Sequence, residues 1–219
     1  MLNLAEYRRR EKHLADYLPW ACLVAPGVVL NKDGSFQRIL RYRGPDLDSA
    51  TEAELVAVSA RLNNALKRFG DGWALFFEAE RVAAHGYPPG RFADAASWLV
   101  DQERRAAFEA DGAHYESRYF LTFLYLPPPD AAGRTERFFY ERAEPQSIVA
   151  DVRAELTAFL TETDRALELL TAILPEVHAL DDAETLSYLH GAVSEKPHAL
   201  AVPQVPAYFI SGPFIAIGG

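Results

Sequence analysis

The sequence predicts an α+β fold. The expected architecture is a mixed, mostly antiparallel sheet with helices packed on one face, in a split β-α-β, ferredoxin-like arrangement. Three observations carry this expectation. The elements read β-β-α-β-α-β-α-α-β along the chain, so single helices sit between strands. Strand and helix patterns are well separated: Arg118–Leu126 is an aromatic and aliphatic run, whereas Leu55, Val58, Leu62, Leu66 and Phe69 recur at steps of three and four. A chain of 219 residues, 49% hydrophobic and 24% charged, is also long enough to enclose a core.

The first twenty residues read as an amphipathic arm, with Leu2, Leu4, Tyr7, Leu14 and Leu18 interleaved with basic residues. A hairpin follows, Ala21–Leu30 paired with Phe36–Tyr42, its turn at Asn31-Lys-Asp-Gly-Ser35. Thr51-Glu-Ala-Glu54 is a capping box, and Gly70 is the expected end of the helix it starts. Trp73–Val82 reads as a strand whose Phe76-Phe77 pair should be largely buried. Asp94–Ala110 reads as a helix that stops near Gly112, and the strand Arg118–Leu126 ends at Pro127-Pro-Pro129.

Residues 130–143 read as a loop carrying Phe138-Phe139-Tyr140 amid charges, a candidate partner contact. Val149, Val152, Leu156, Phe159, Leu160, Leu167, Leu170 and Leu174 then mark a long amphipathic helix from Pro145, on the order of 40 Å in length. A last helix starts at Asp181-Asp-Ala-Glu184 and ends at Gly191, forming an αα-hairpin with the long one. Three regions are therefore expected: an arm over 1–20, a sheet domain over 21–143, and a helical extension over 144–219 with a strand-like tail.

Charge excludes some functions. The net charge is -9, yet residues 1–43 carry +4 and the remainder -13. An acidic body repels phosphate backbones, so direct nucleic-acid binding is not expected. Arg8, Arg9, Arg10 and Lys12 could dock on anionic lipid or on a membrane subunit. Equally, they could form a solvated helix face paired with Glu6 and Glu11. The stripe of Leu156, Phe159, Leu167 and Leu170 is either core or a subunit interface, since its length exceeds what a small domain covers. No signal-peptide pattern or membrane-spanning run is read, and a lone Cys22 suits a reducing compartment, so the expected location is cytoplasmic.

Catalytic chemistry finds little support. There is no G-x-x-x-x-G-K-[ST], no H-E-x-x-H and no G-x-S-x-G. His178, Asp181, Asp182 and His190 come nearest to a metal-ligand cluster, but the acidic residues already serve a helix start. Glu78 and Glu80 share a strand face and could imitate an acid–base pair, although a solvated strand end explains them as well. Cys22 sits among apolar residues with nothing to lower its pKa. Thus no metal, cofactor or catalytic residue is expected in this chain. The alternative is a self-sufficient small α/β enzyme with an unrecognised site.

The stretch Leu14-Ala-Asp-Tyr-Leu-Pro-Trp-Ala-Cys-Leu-Val-Ala-Pro-Gly-Val-Val-Leu-Asn-Lys-Asp-Gly-Ser-Phe-Gln-Arg38 resembles the opening of the TrbE-type (CagE/TrbE/VirB family) conjugal transfer ATPases of type IV secretion systems. Arg41-Tyr-Arg-Gly-Pro-Asp-Leu47, Tyr115-Glu-Ser-Arg-Tyr-Phe-Leu-Thr-Phe-Leu-Tyr-Leu-Pro-Pro128 and Thr185-Leu-Ser-Tyr-Leu-His190 extend the likeness along the chain. The resemblance implies a noncatalytic N-terminal module that helps assemble the motor at the bacterial inner membrane and contacts neighbouring secretion subunits, small inner-membrane proteins among them. It also implies that ATP and Mg²⁺ bind in a later RecA-like domain, for which this chain has no matching positions. The break at Ile217-Gly-Gly219 is expected to mark a shortened chain, natural or deliberate.

Overall fold

A computed structural model describes residues 14–45, 49–84, 86–112, 114–128, 146–194, 196 and 198–202. The elements are α1 (Leu14–Tyr17), β1 (Trp20–Ala25), β2 (Val28–Asn31), β3 (Phe36–Arg43), α2 (Glu52–Leu66), β4 (Trp73–Ala83), α3 (Ala95–Ala110), β5 (Tyr115–Tyr125), α4 (Gln146–Thr171), β6 (Glu176–Ala179) and α5 (Asp182–Gly191). The class is α+β, and the six strands form one mostly antiparallel sheet in the order β1-β2-β3-β5-β4, with β6 also paired to β3. Because β5 lies between β3 and β4, the unit β3-α2-β4 is a split β-α-β. β5-α4-β6 is a second such unit, since β3 lies between its strands.

The expected single strand from Ala21 to Leu30 is two strands. Pro26-Gly27 turns the chain back, and Ala25 pairs with Val28. Proline fixes φ at the first central position and Gly27 supplies φ +66° at the second, the signature of a type II turn. The next turn matches expectation. Gly34 has φ +84°, Asn31 N–H donates to the Ser35 carbonyl at 2.8 Å, and the Ser35 hydroxyl donates to Asp33 Oδ1 at 2.6 Å.

β2 and β6 lie end to end beside β3. Leu30 faces Phe36 and Val28 faces Arg38, while Leu40 faces Ala179 and Arg43 faces Glu176. The joint between them is tight. Gly27 N–H donates to Asp182 Oδ1 at 2.7 Å, and a Cβ on Gly27 would stand 2.1 Å from the Leu180 carbonyl oxygen. β6 is not among the elements expected from the sequence, because four residues show no usable periodicity and only pairing with β3 defines them.

The chain divides into two compact units, Met1–Phe77 with Phe120–Gly219, and Glu78–Tyr119. In the first, side chains alternate across the sheet. Val28, Leu30, Phe36, Leu40, Leu121 and Phe123 belong to one apolar cluster, with Phe159, Ala166 and Leu170 of α4 and, at its edge, Leu62 and Leu66 of α2. Val29, Ile39 and Phe120 face the other way, against Leu186 and Leu189 of α5, Trp20, Leu180 and Leu200. Helices α2 and α4 thus share one face, as expected, and the short α5 covers the other. The expected αα-hairpin of α4 with α5 does not form, because β6 runs between them as a strand of the sheet and leaves them on opposite faces.

The caps follow the sequence signals. Thr51 and Glu54 exchange bonds at the start of α2, and Asp181 and Glu184 do so at α5. α2 ends at Leu66 with Lys67 as C-cap, short of the expected Gly70. Phe76 and Phe77, expected to be largely buried, are 54% and 59% exposed: as neighbours on β4 they point to opposite faces of the sheet, and neither joins either apolar cluster, whereas Trp73 and Leu75 of the same strand join the α4-facing one.

Two measurements test this packing. Gly27→Ala should lower stability by at least about 2 kcal/mol, because it combines a left-handed φ with a clash against a backbone oxygen. Gly44→Ala, with nothing within 4 Å, is the control. Equal urea midpoints for the two variants would contradict the close approach. Cys22 packs beside the α4-facing cluster, and burial pushes its thiol up from 9.0 to about 11. Between these values the unfolded chain loses the proton and the folded chain keeps it. Stability should therefore fall as pH rises from 9 to 11, by about 2 kcal/mol, and Cys22→Ala should remove that part of the loss. Denaturant titrations of both proteins across this range check the slope.

Candidate interaction surface

The expected site residues fall into three groups. Arg8, Arg9, Arg10, Lys12, Phe138, Phe139 and Tyr140 lie outside the described residues. Phe159 and Leu170, expected as possible subunit contacts, are inside the core at 1% exposure. Their burial removes them from any partner in this fold. Leu156 and Leu167 are half-buried against the same cluster. The physical reason is that the long helix spends its stripe on the sheet: Phe159 stacks on Trp73 at 5.5 Å and packs on Phe36 at 5.7 Å. Arg38 anchors the same helix, donating to Thr163 Oγ1 at 2.8 Å and Asp164 Oδ1 at 2.7 Å.

The residues weighed for catalysis or metal binding have separate tasks. Asp181 caps α5, and Asp182 receives the Gly27 N–H. His178 lies 3.7 Å from a Glu184 carboxylate oxygen, while His190 is buried with its ring edge-on to His198. Among the described residues, no three His, Cys, Asp or Glu side chains converge as a metal site would require. Both Glu80 and Glu78 lie on β4, half-buried and exposed respectively.

The unit Glu78–Tyr119 carries a surface that sequence reasoning missed. None of its described residues is buried. α3 is capped by Asp94, whose side chain accepts the Ser97 N–H at 2.8 Å, and it ends before Gly112 at φ +87°. Its inner face, at spacings of four and three, is Asp101, Arg105 and Phe108. Tyr87 ties that face together. Its hydroxyl donates to Asp101 Oδ1 at 2.7 Å, its ring lies 4.8 Å under the Arg105 guanidinium, and Phe108 meets it edge-on at 5.6 Å. The hydrogen bond to Asp101 raises the Tyr87 phenol above its ordinary value, because ionisation would set a phenolate against a carboxylate. His114 stacks on Phe108 at 3.7 Å.

The outer face of α3 is apolar instead. Ala96, Leu99, Val100, Ala107 and Ala110 recur at steps of three, four and seven, and all are exposed, Leu99 at 57% and Val100 at 51%. Glu103 sits in the middle of this stripe. Ordinarily the apolar side of a helix turns inward. Here the polar, aromatic side does so, and the apolar side meets solvent. The pattern was readable in the sequence, since the apolar spacing and the Asp101–Arg105 spacing are both helical. Only the structure tells which of the two faces the protein.

A second apolar feature lies in the first unit. It is a cavity of about 280 Å³ lined by Leu40, Leu62, Leu66, Phe77, Leu170 and Val177, among others. Its walls are aliphatic and aromatic side chains, Tyr42 being the one among them that carries a polar group. Among the described residues, no helix is long and apolar enough to cross a membrane.

Comparison with known proteins gives a consistent result. The family model described as type IV secretion system ATPase VirB4/TrbE, N-terminal domain, matches residues 27–133. The conjugal transfer protein TrbE of Rhizobium radiobacter is 31% identical over 226 residues, which cover 95% of this chain and 27% of that protein. In Sinorhizobium fredii, the first portion of a probable conjugal transfer protein TrbE is 39% identical over 130 residues, covering 58% of this chain and 87% of that portion. The chain thus spans about a quarter of the first relative and most of the second. By these similarities, joined to the α+β module described above, the chain belongs to the VirB4/TrbE family of type IV secretion ATPases, in which it corresponds to the N-terminal domain.

Proposed function

We propose that this chain is a noncatalytic assembly module of a conjugal transfer ATPase. In this reading it holds the motor at the cytoplasmic side of the bacterial inner membrane and contacts other type IV secretion subunits, including small inner-membrane proteins. ATP and Mg²⁺ would be bound by a separate domain of the same motor. Beyond family membership, one observation supports an interaction role. The unit Glu78–Tyr119 has no buried side chain among its described residues, yet it displays Trp98, Leu99 and Val100 more than half exposed. A unit of about forty residues encloses too little apolar surface for ample stability, and an exposed apolar helix face, here the one that holds Leu99 and Val100, is typical of contact surfaces. The basic residues Arg8, Arg9, Arg10 and Lys12 would add a salt-sensitive attachment to anionic lipid, at ~1 kcal/mol per charge.

The module reading predicts that the immobilised 219-residue chain retains purified small inner-membrane subunits of its secretion system and gives no heat on titration with ATP and Mg²⁺. Micromolar nucleotide binding, or failure to retain any subunit, would count against it. Joint replacement of Arg8, Arg9 and Arg10 by Glu should weaken co-sedimentation with phosphatidylglycerol vesicles at low salt and leave the thermal melt unchanged. Unaltered sedimentation would remove the lipid-docking component.

A further inference from the structure

We propose that the outer face of α3 is a docking seam for a basic amphipathic helix of a partner protein. This rests on the reading of the chain as an interaction module and names the chemistry of one partner. The seam is Ala96, Leu99, Val100, Glu103, Ala107 and Ala110, which a straight helix of 16 residues presents along one side. Two properties fit it to another helix. Its alanines let a second backbone approach closely, and its steps of three and four match the seam of a helix pair. Leu99 and Val100 are the large side chains, both more than half exposed, that such a pairing would cover. Polar bonds on the opposite face, through Asp101, Arg105 and Tyr87, fix which side of α3 is turned outward.

Charge selects the occupant. Asp101 and Arg105 are paired on the inner face; the rest of the helix and its caps, from Asp94 to Asp111, carry Asp94, Glu103, Glu109 and Asp111 against Arg104, a net of -3, with Glu103 in the middle of the seam. An anionic lipid surface is repelled by this balance, whereas a helix bearing lysine or arginine is attracted. A second copy of this chain is disfavoured for a different reason. Either symmetric pairing centred on the seam, parallel or antiparallel, sets Glu103 against Glu103. A partner with an apolar seam and a basic residue opposite Glu103 satisfies all of these conditions.

The probes are two stapled 18-residue helices with identical leucine seams, one bearing lysine and the other glutamate at the flanking positions. Fluorescence anisotropy with the 219-residue chain should show the lysine helix binding at least tenfold more tightly. Leu99→Asp with Val100→Asp should lower that affinity at least tenfold. Glu103→Lys should weaken the lysine helix and strengthen its glutamate twin, a reversal that the overall charge of the chain would not produce. Both substitutions are at exposed positions, and circular dichroism verifies the fold. Affinities unchanged in both variants would overturn the proposal. So would a dimer in sedimentation, or binding to phosphatidylglycerol vesicles, that the Leu99 and Val100 changes abolish. If those changes leave capture of the secretion subunits intact, the seam is excluded while the module reading stands; loss of capture by the unaltered chain would instead sink the module reading.

Discussion

Strand β3 carries large apolar side chains toward both of its faces, and the rest of the first unit is arranged to cover them. Phe36 and Leu40 point one way and Ile39 the other, all at 0% exposure. A strand of this kind cannot lie on a one-sided sheet, since either face in water would forfeit roughly 1.5–3 kcal/mol per side chain. The long helix α4 and the edge of α2 therefore close one side, and α5 with the segment ending at Val202 closes the other. β3 also pairs with three strands, β2, β6 and β5, so both split β-α-β units pass through it.

Covering both faces brings the N-terminal hairpin against the end of the described chain. Gly27, at the Pro26-Gly27 turn, fits only because it lacks a Cβ, and Asp182 takes its N–H while serving in the first turn of α5. The long helix is held by a different device. The Arg38 guanidinium, on the α4 side of β3, reaches Asp164, which remains partly in water, so its charge is balanced without a fully buried pair. These two contacts join residues more than a hundred positions apart, and they fix helices that the sheet alone would leave free to slide.

The unit Glu78–Tyr119 is built on another principle. Its helix is held by an aromatic–polar knot around Tyr87, beside the pairing of β4 with β5 and the Arg81 guanidinium over Tyr115, and its apolar helix face is left outside. Among the described residues, nothing else in the unit depends on that face, so covering it would cost the fold little. The stripe on α4, which is longer and more apolar, is consumed by the core.

The sequence by itself determined the elements whose signals are local. The capping boxes at Thr51 and Asp181, the turn at Gly34, the aromatic strand before Pro127 and the amphipathic α4 all follow from neighbouring residues, because capping, turn geometry and periodicity act within one or two turns of chain. The family likeness was legible there too, as ordered packing motifs. Tertiary structure alone decided the remainder. It divided residues 20–31 into two strands, where a turn sits inside an apolar run. It created β6, which exists only through pairing with β3. It chose between the two helical stripes, burying Phe159 and exposing Leu99, because hydrophobic periodicity reveals that a helix has an apolar face but not whether the protein has surface left to cover it.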